Sequence, residues 1–185
     1  VTDLTEIKAA ARKAAFARRK AAFDARLPGA AGRLSEVLAG HRGVPLSGYM
    51  PIRTEIDPVP AMAEASAYGP VGVPVIQAAG LPLKFSRWTP EGALRDGPFG
   101  AKVPQVDDYF GPEILIVPLV AFDANGGRLG YGGGFYDRTL EGLRAKRPTL
   151  AIGFAFDAQE AADLPLELTD QPLDMVVTES RVLTF

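Results

Sequence analysis

The chain is predicted to fold as an α/β protein in which a mainly parallel sheet carries helices on both faces. The run Ile114-Leu115-Ile116-Val117-Pro118-Leu119-Val120-Ala121-Phe122 is continuously apolar, as expected of a strand buried on both faces of a parallel sheet. Similar short runs alternate along the chain with stretches of helical period, the order expected of a layered sheet with helical crossovers. At 185 residues, 47% of them hydrophobic, the chain has the size of one globular domain and ample apolar sequence for a core. Residues 1–185 are therefore expected to form a single domain.

Residues 3–26, rich in Ala, Lys and Arg, read as one helix. Phe16, Phe23 and Leu27, spaced seven and four apart, are its expected buried stripe, and Pro28-Gly29 its end. A second helix over 31–38 leads to a strand over 44–50, flanked by Gly43 and Pro51. Asp57-Pro58 has the form of an N-cap followed by a first-turn proline, opening a helix that passes Met62 and Tyr68 and stops at Gly69. A strand over 71–76 follows. From Gly80 to Pro112 the chain carries Pro, Gly and aromatic residues with neither helical nor alternating period, apart from a strand candidate at 81–85. Loops of that length inside a compact domain are usually functional. The regular pattern returns with a strand over 114–121, a glycine loop, a helix over 135–146, a strand over 149–156 and short strands at 175–178 and 182–185.

The glycine loop is the most informative local feature. Gly130, Gly132, Gly133 and Gly134 fall within five positions, ahead of a helix whose Tyr136, Leu140 and Leu143 share one face. Strand, glycine loop and helix N-terminus together offer free backbone N–H groups and a positive dipole end, which favour a bound phosphate. A plain turn with positive φ angles is the alternative reading. A P-loop is excluded because no Gly-Lys-Ser/Thr string follows, and the dinucleotide fingerprint because Phe135 stands where it needs Gly or Ala. The fold is thus Rossmann-like without being a standard dinucleotide fold.

Charge and composition narrow the function. Twenty basic and 22 acidic side chains leave a net charge of −2, so the molecule as a whole has no reason to seek nucleic acid or an anionic membrane. Residues 1–30 nevertheless hold seven basic and three acidic groups, a local net of +4 against −6 for the remainder. With no cysteine, disulfides, thiolate nucleophiles and Cys-based metal sites are excluded. The single histidine, His41, lies in a Gly-bracketed turn, which argues against Ser-His-Asp hydrolysis and His-ligated metals. No stretch approaches the ~20 apolar residues of a membrane span, and a cytoplasmic, monomeric protein is expected.

Several side chains are candidates for chemistry. Asp137 stands in the first turn after the glycines, where a carboxylate gains a few tenths to about 1 kcal/mol from the helix dipole alone. Beside a phosphate it would need a bridging cation, and Mg2+ held by one or two carboxylates plus phosphate oxygens resolves the conflict. Asp170 is a second carboxylate that reads equally as a turn residue. Lys8 and Arg12, four apart on the first helix, form a solvated basic face together with Arg19, unless that helix docks near the glycine loop, where they would complete a triphosphate clamp. Glu55 follows a strand end, a position that suits either ligand contact or capping. Phe85, Trp88 and Tyr136 are aromatic candidates for stacking on a planar ring, or core residues.

The block Val117-Pro118-Leu119-Val120-Ala121-Phe122-Asp123, with Gly127-Arg128-Leu129-Gly130-Tyr131-Gly132-Gly133-Gly134-Phe135-Tyr136-Asp137, resembles the signature of 5-formyltetrahydrofolate cyclo-ligases, also called 5,10-methenyltetrahydrofolate synthetases. The similarity continues in family order through Gly48-Tyr49, Glu55-Ile56-Asp57-Pro58, Phe85-Ser86-Arg87-Trp88, Phe99-Gly100 before Pro104, Gln159, Leu164-Pro165 and Asp170 through Val177-Thr178-Glu179. Phe135 stands where bacterial relatives mostly have Tyr, and the first 40 residues match more loosely. The resemblance implies a three-layer α/β/α sandwich and ATP- and Mg2+-dependent cyclisation of 5-formyltetrahydrofolate. It further implies that Gly130, Tyr131, Gly132, Gly133, Gly134, Phe135, Tyr136 and Asp137 cradle ATP, with Lys8 and Arg12 neutralising its phosphates. Asp137 and Asp170 would hold Mg2+, Met50, Glu55, Tyr136 and Trp88 would contact the folate, and Arg128, Tyr136 and Asp137 would serve catalysis. Two other readings differ in kind: an α/β enzyme without ATP, such as a sugar-phosphate isomerase or acyl-CoA transferase, and a nucleic-acid-binding module using the basic N-terminal helix.

Overall fold

The computed structural model describes residues 3–185, and every side chain among them except that of Phe99. In chain order the elements are α1 (Leu4–Asp24), α2 (Gly32–Ala39), β1 (Leu46–Ser47), α3 (Val59–Ser66), β2 (Val71–Val75) and β3 (Lys84–Arg87). They continue with β4 (Leu94–Asp96), β5 (Lys102–Pro104), β6 (Tyr109–Phe110), β7 (Ile114–Val117), β8 (Ala121–Phe122) and β9 (Arg128–Leu129). Last come α4 (Phe135–Lys146), β10 (Leu150–Phe154), β11 (Met175–Val177) and β12 (Val182–Thr184). Single 3-10 turns lie at Pro98–Gly100 and Asp157–Gln159.

Eight strands form one sheet in the order β12-β11-β10-β7-β1-β2-β3-β6. The five strands from β11 to β2 are parallel, and β12, β3 and β6 join its two edges antiparallel. Because side chains alternate along a pleated strand, β7 and β10 serve two cores at once. Ile114, Ile116, Ile152 and Phe154 pack with Leu34 and Leu38 of α2 and Ala61 and Met62 of α3. Leu115, Val117 and Ala151 face the other way, onto Leu140 of α4. The result is three layers, a mixed α/β architecture with a mainly parallel central sheet, as the sequence pattern predicts.

Strand order reverses between β1 and β7. From β1 the chain crosses through α3 to β2 on one side, whereas from β7 it crosses through α4 to β10 on the other. Loops at the carboxyl ends of β1 and β7 therefore diverge and leave a crevice, the place where open α/β sheets take ligands. A third, smaller core closes this end of the sheet. Ala15 of α1 packs with Val120, Ala121 and Leu129, so α1 lies on the β8–β9 hairpin.

Several sequence expectations need correction. The strand expected over 114–121 stops at Val117, because Pro118 cannot continue the ladder, and Ala121–Phe122 instead pairs with Arg128–Leu129. The glycine loop therefore follows a hairpin strand rather than β7 itself. The stretch from Gly80 to Pro112 is not irregular: β3 and β6 extend the main sheet, and β4 pairs with β5. The strand expected over 44–50 shortens to Leu46–Ser47, that over 149–156 to Leu150–Phe154, and the third helix ends at Ser66. Leu27 is 79% exposed, and the fully buried positions of α1 are Ala15 and Arg19. The N-cap of α3 is Pro58 rather than Asp57, so the helix opens one residue later than expected; Asp57 Oδ1 still accepts from the Val59 N–H at 2.9 Å, from the position before the cap. Among the described residues no helix is long and apolar enough to cross a membrane.

Leu140, fully buried, is the residue through which α4 grips the sheet. Leu140→Ala should lower unfolding stability by about 2–5 kcal/mol through lost burial and the cavity left behind. Urea titration followed by circular dichroism checks this, and a loss under about 1 kcal/mol would mean that α4 is held by other contacts.

Candidate functional site

The glycine loop leads from β9 into the N-terminus of α4. Gly132, at φ 101, and Gly134, at φ 69, lie in the left-handed region, so these two positions favour glycine. Gly134 is the N-cap of α4 and makes no side-chain cap hydrogen bond, so the positive end of the helix dipole faces the loop.

Helix α1 lies along this loop with Lys8, Arg12, Ala15 and Arg19 on one face, spaced at four, three and four residues. Arg12 Nε donates to the Gly130 carbonyl at 2.7 Å, and its guanidinium lies so near Gly132 that a Cβ there would come within 3.3 Å of it. Lys8 Nζ pairs with Glu167 Oε1 at 2.8 Å and Asp170 Oδ2 at 3.4 Å. Burial works to lower the Lys8 pKa, but these two carboxylates outweigh it and hold the ammonium above its ordinary range. Arg19 is only 1% exposed, not part of a solvated face. Its Nε donates to Thr54 Oγ1 at 2.9 Å, and its Nη1 to the Tyr131 hydroxyl at 2.6 Å and more weakly to the Leu119 carbonyl at 3.4 Å. The guanidinium also stands 5.1 and 5.4 Å from the ring centres of Phe16 and Tyr131, within cation–π range, while Nη2 has no partner.

Opposite α1, the turn after β1 presents Glu55. Arg53 adopts φ 51 within this turn, which brings the Glu55 N–H to the Ile52 carbonyl at 3.1 Å. The Glu55 side chain is buried, with Oε1 accepting from the Ile52 N–H and Oε2 from the Tyr131 hydroxyl, both at 2.8 Å. Burial raises its carboxyl pKa, and the Ile52 and Tyr131 hydrogen bonds with the positive charges of Arg19 and Arg53 only partly offset this. Burial likewise raises the Tyr131 and Tyr136 hydroxyls, with the Glu55 charge adding to it, so both stay protonated.

At the start of α4, Asp137 Oδ1 accepts from Arg128 Nη2 at 2.7 Å and from the Gln171 N–H at 2.9 Å. That second bond brings Asp170, the residue before Gln171, beside Asp137. Asp170 spends Oδ2 on Lys8 and the Glu167 N–H, so Asp137 Oδ2 and Asp170 Oδ1 accept nothing among the described residues. Carboxylate oxygens without a partner are donors of the kind a hard divalent cation takes. No group of three or more metal-ligating side chains occurs among the described residues, so a cation here would draw its other ligands from water or substrate. Arg128 Nε and the Tyr136 hydroxyl are buried without a partner in the same region.

The remaining predicted residues are placed as follows. Met50, half-buried just past β1, packs against the α2/α3 core, and Trp88 lies within that core at 5% exposure, not as an open stacking face. Phe85 is core on the α4 side, where the Phe135 ring also packs, with Arg138 over it at 5.2 Å. His41 lies beside the groove between α2 and α3, apart from the crevice.

The sequence reading missed Arg19 as a buried participant and gave no role to Thr54, Gln159 or Gln171. Gln159 is buried and binds the Leu119 and Val120 carbonyls through Nε2, fixing the chain as it leaves β7. For Arg19 a signal did exist: three basic residues and an alanine share one helical face at positions 8, 12, 15 and 19. A small residue between cations is what lets a helix approach another backbone closely.

Residues 5–179 match the model of the 5-formyltetrahydrofolate cyclo-ligase family. A 5-formyltetrahydrofolate cyclo-ligase of Escherichia coli K12 is 53% identical over 70 residues, so that match spans only 38% of either chain. One from Mycolicibacterium smegmatis is 30% identical over 186 residues, 94% of each chain. The NMR structure of Aquifex aeolicus 5,10-methenyltetrahydrofolate synthetase has a TM-score of 0.73 at 27% identity, over 96% of this chain and 92% of that one. A Mycoplasma pneumoniae 5,10-methenyltetrahydrofolate synthetase shares the fold, with a TM-score of 0.68 at 21% identity over 94% and 99% of the two chains. Since the family model takes in nearly the whole described chain, glycine loop and crevice included, this protein belongs to the 5-formyltetrahydrofolate cyclo-ligase family.

Proposed function

We propose that the protein catalyses ATP-dependent cyclisation of 5-formyltetrahydrofolate to 5,10-methenyltetrahydrofolate, releasing ADP and phosphate. The observation that carries this reading is the meeting, in one crevice, of an uncapped helix start behind a glycine loop, two cations of α1 and a buried carboxylate on the far wall. Lys8, Arg12 and Arg19, three of the six basic residues of α1, turn inward onto this site, and the rest of the chain is net acidic, which leaves little support for a nucleic-acid surface.

A formyl oxygen is a poor leaving group. Transfer of the ATP γ-phosphoryl onto it gives ADP and an imidate-like phosphate; N10 then attacks the formyl carbon, the C–O bond breaks, and phosphate departs as N10 loses its proton. The protein's part in such a reaction is alignment and charge neutralisation. The N–H groups of 130–134 and the α4 N-terminus receive the phosphates, and Lys8 and Arg12 neutralise them. Arg128 lies at hand for the transferring phosphoryl group, its Nε unspent. Glu55 accepts N–H donors of the pterin, with Met50 beside it, and the unpartnered Tyr136 hydroxyl finds its acceptor on the substrate. Trp88 contributes as part of the buried core on which Met50 packs. The donor set fits Mg2+: Asp137 Oδ2 and Asp170 Oδ1 would hold it, and when bound it neutralises phosphate charge.

Three outcomes test this reading. Mixing protein, 5-formyltetrahydrofolate and Mg-ATP should raise the near-ultraviolet absorbance of the methenyl product, and chelator should abolish the rise; full turnover in chelator would remove the cation from the scheme. Asp137→Asn keeps an oxygen for Arg128 and Gln171 but loses the charge. It should melt near the parent temperature yet turn over at least ~100-fold more slowly, about 2.7 kcal/mol of transition-state stabilisation. Unfolding of this variant would instead assign Asp137 to the Arg128 pair alone. Replacing Lys8 and Arg12 by Ala should raise the KM for ATP more than that for folate, and equal changes would place the two cations elsewhere.

A further inference from the structure

The Tyr131 hydroxyl touches both walls of the crevice. It accepts from Arg19 Nη1 at 2.6 Å and donates to Glu55 Oε2 at 2.8 Å, joining α1 to the turn after β1 through the tip of the glycine loop. The three residues are separated by 112 and 76 positions along the chain, so no local pattern accounts for the contact. Tyr131 is 38% exposed and stands between Gly130 and Gly132, whereas Arg19 and Glu55 are buried, a movable middle between two fixed ends. Arg19 is held on its other side by Thr54, in the same turn as Glu55.

We propose that Arg19 is a positioning residue for the folate side of the site, acting on Glu55 through the Tyr131 hydroxyl and thereby coupling the glycine loop to the pterin-binding carboxylate. This rests on the folate assignment of Glu55 made above. Because the Arg19 guanidinium occupies the hydroxyl's acceptor electrons, the hydroxyl proton is directed at Glu55. Displacement of the loop by a bound nucleotide lengthens both bonds at once and releases Glu55 Oε2 to a ring N–H. Arg19 Nη2, buried and unpartnered, is then a donor left for the incoming ligand or a water.

Glu55 faces Arg19 from α1, Tyr131 from the glycine loop, Tyr136 from α4, and Arg53 and Tyr49 from its own segment. Of these, Tyr131 by its hydrogen bond and Arg19 by its charge favour the ionised carboxylate, so removing either raises the Glu55 pKa. The test is 13C NMR titration of protein labelled at glutamate carboxyls, without substrates, with Glu55→Gln identifying the resonance. Glu55 should titrate at least ~0.5 pH unit higher in Tyr131→Phe and in Arg19→Met than in the parent, and in the double variant by clearly less than the sum of the two single shifts. The low-pH limb of kcat/KM for 5-formyltetrahydrofolate should rise by the same amount, and the limb for ATP should stay in place. Tyr131→Phe deletes only a hydroxyl on an exposed loop and keeps the test open if Arg19→Met is poorly folded. Unshifted Glu55, or shifts that simply add in the double variant, would overturn the relay while leaving the cyclisation reading intact. Absence of cyclisation in the parent protein, with the NMR shifts as expected, would do the reverse.

Discussion

The docking of α1 on the glycine loop is the contact on which the crevice depends. Ala15 is fully buried, and its small side chain lets the helix come close enough for Arg12 to reach the Gly130 carbonyl and Arg19 the Tyr131 hydroxyl. A larger residue at 15 would lift the helix off Val120, Ala121 and Leu129 and withdraw both guanidinium groups together. The loop gains definition from this contact, since its glycines carry the backbone freedom that would otherwise leave it mobile. Burying Arg19 is costly, and the cost is met by three hydrogen bonds and two aromatic faces.

The sheet decides where that contact falls. Reversal of strand order between β1 and β7 sends one chain segment toward Glu55 and the other toward the β8–β9 hairpin. Gln159 and Arg19 both bind the Leu119 carbonyl, which fixes the floor between them. Residues from α1, the β1 turn, the hairpin, α4 and the segment at 170 thus converge on one opening.

Polar groups in this opening are incompletely satisfied. Arg19 Nη2, Arg128 Nε and the Tyr136 hydroxyl are buried donors without partners, and Asp137 and Asp170 each keep an oxygen free. Among the described residues the one other buried side-chain nitrogen or oxygen without a partner is Arg138 Nε, at the foot of the same loop, so these exceptions gather where a ligand would complete them. This concentration is what the proposed ring closure needs, because phosphoryl transfer is helped by donors held in place before charge develops.

The amino-acid sequence by itself determined the layers, the helix over 135–146 to the residue, and the glycine loop ahead of it, because these rest on local period and glycine spacing. It also singled out Asp137, Glu55, Lys8 and Arg12, partly through their spacing and partly through a family resemblance. It could not show that Pro118 turns an apolar run into a hairpin, or that the stretch from 80 to 112 pairs into strands, since pairing depends on partners far along the chain. Nor could it separate the buried Arg19 from the neighbouring exposed Arg18. Only the tertiary structure decided that, because the burial of a cation is set by what lies across from it: here Thr54, Leu119 and Tyr131, from 35 to 112 residues away.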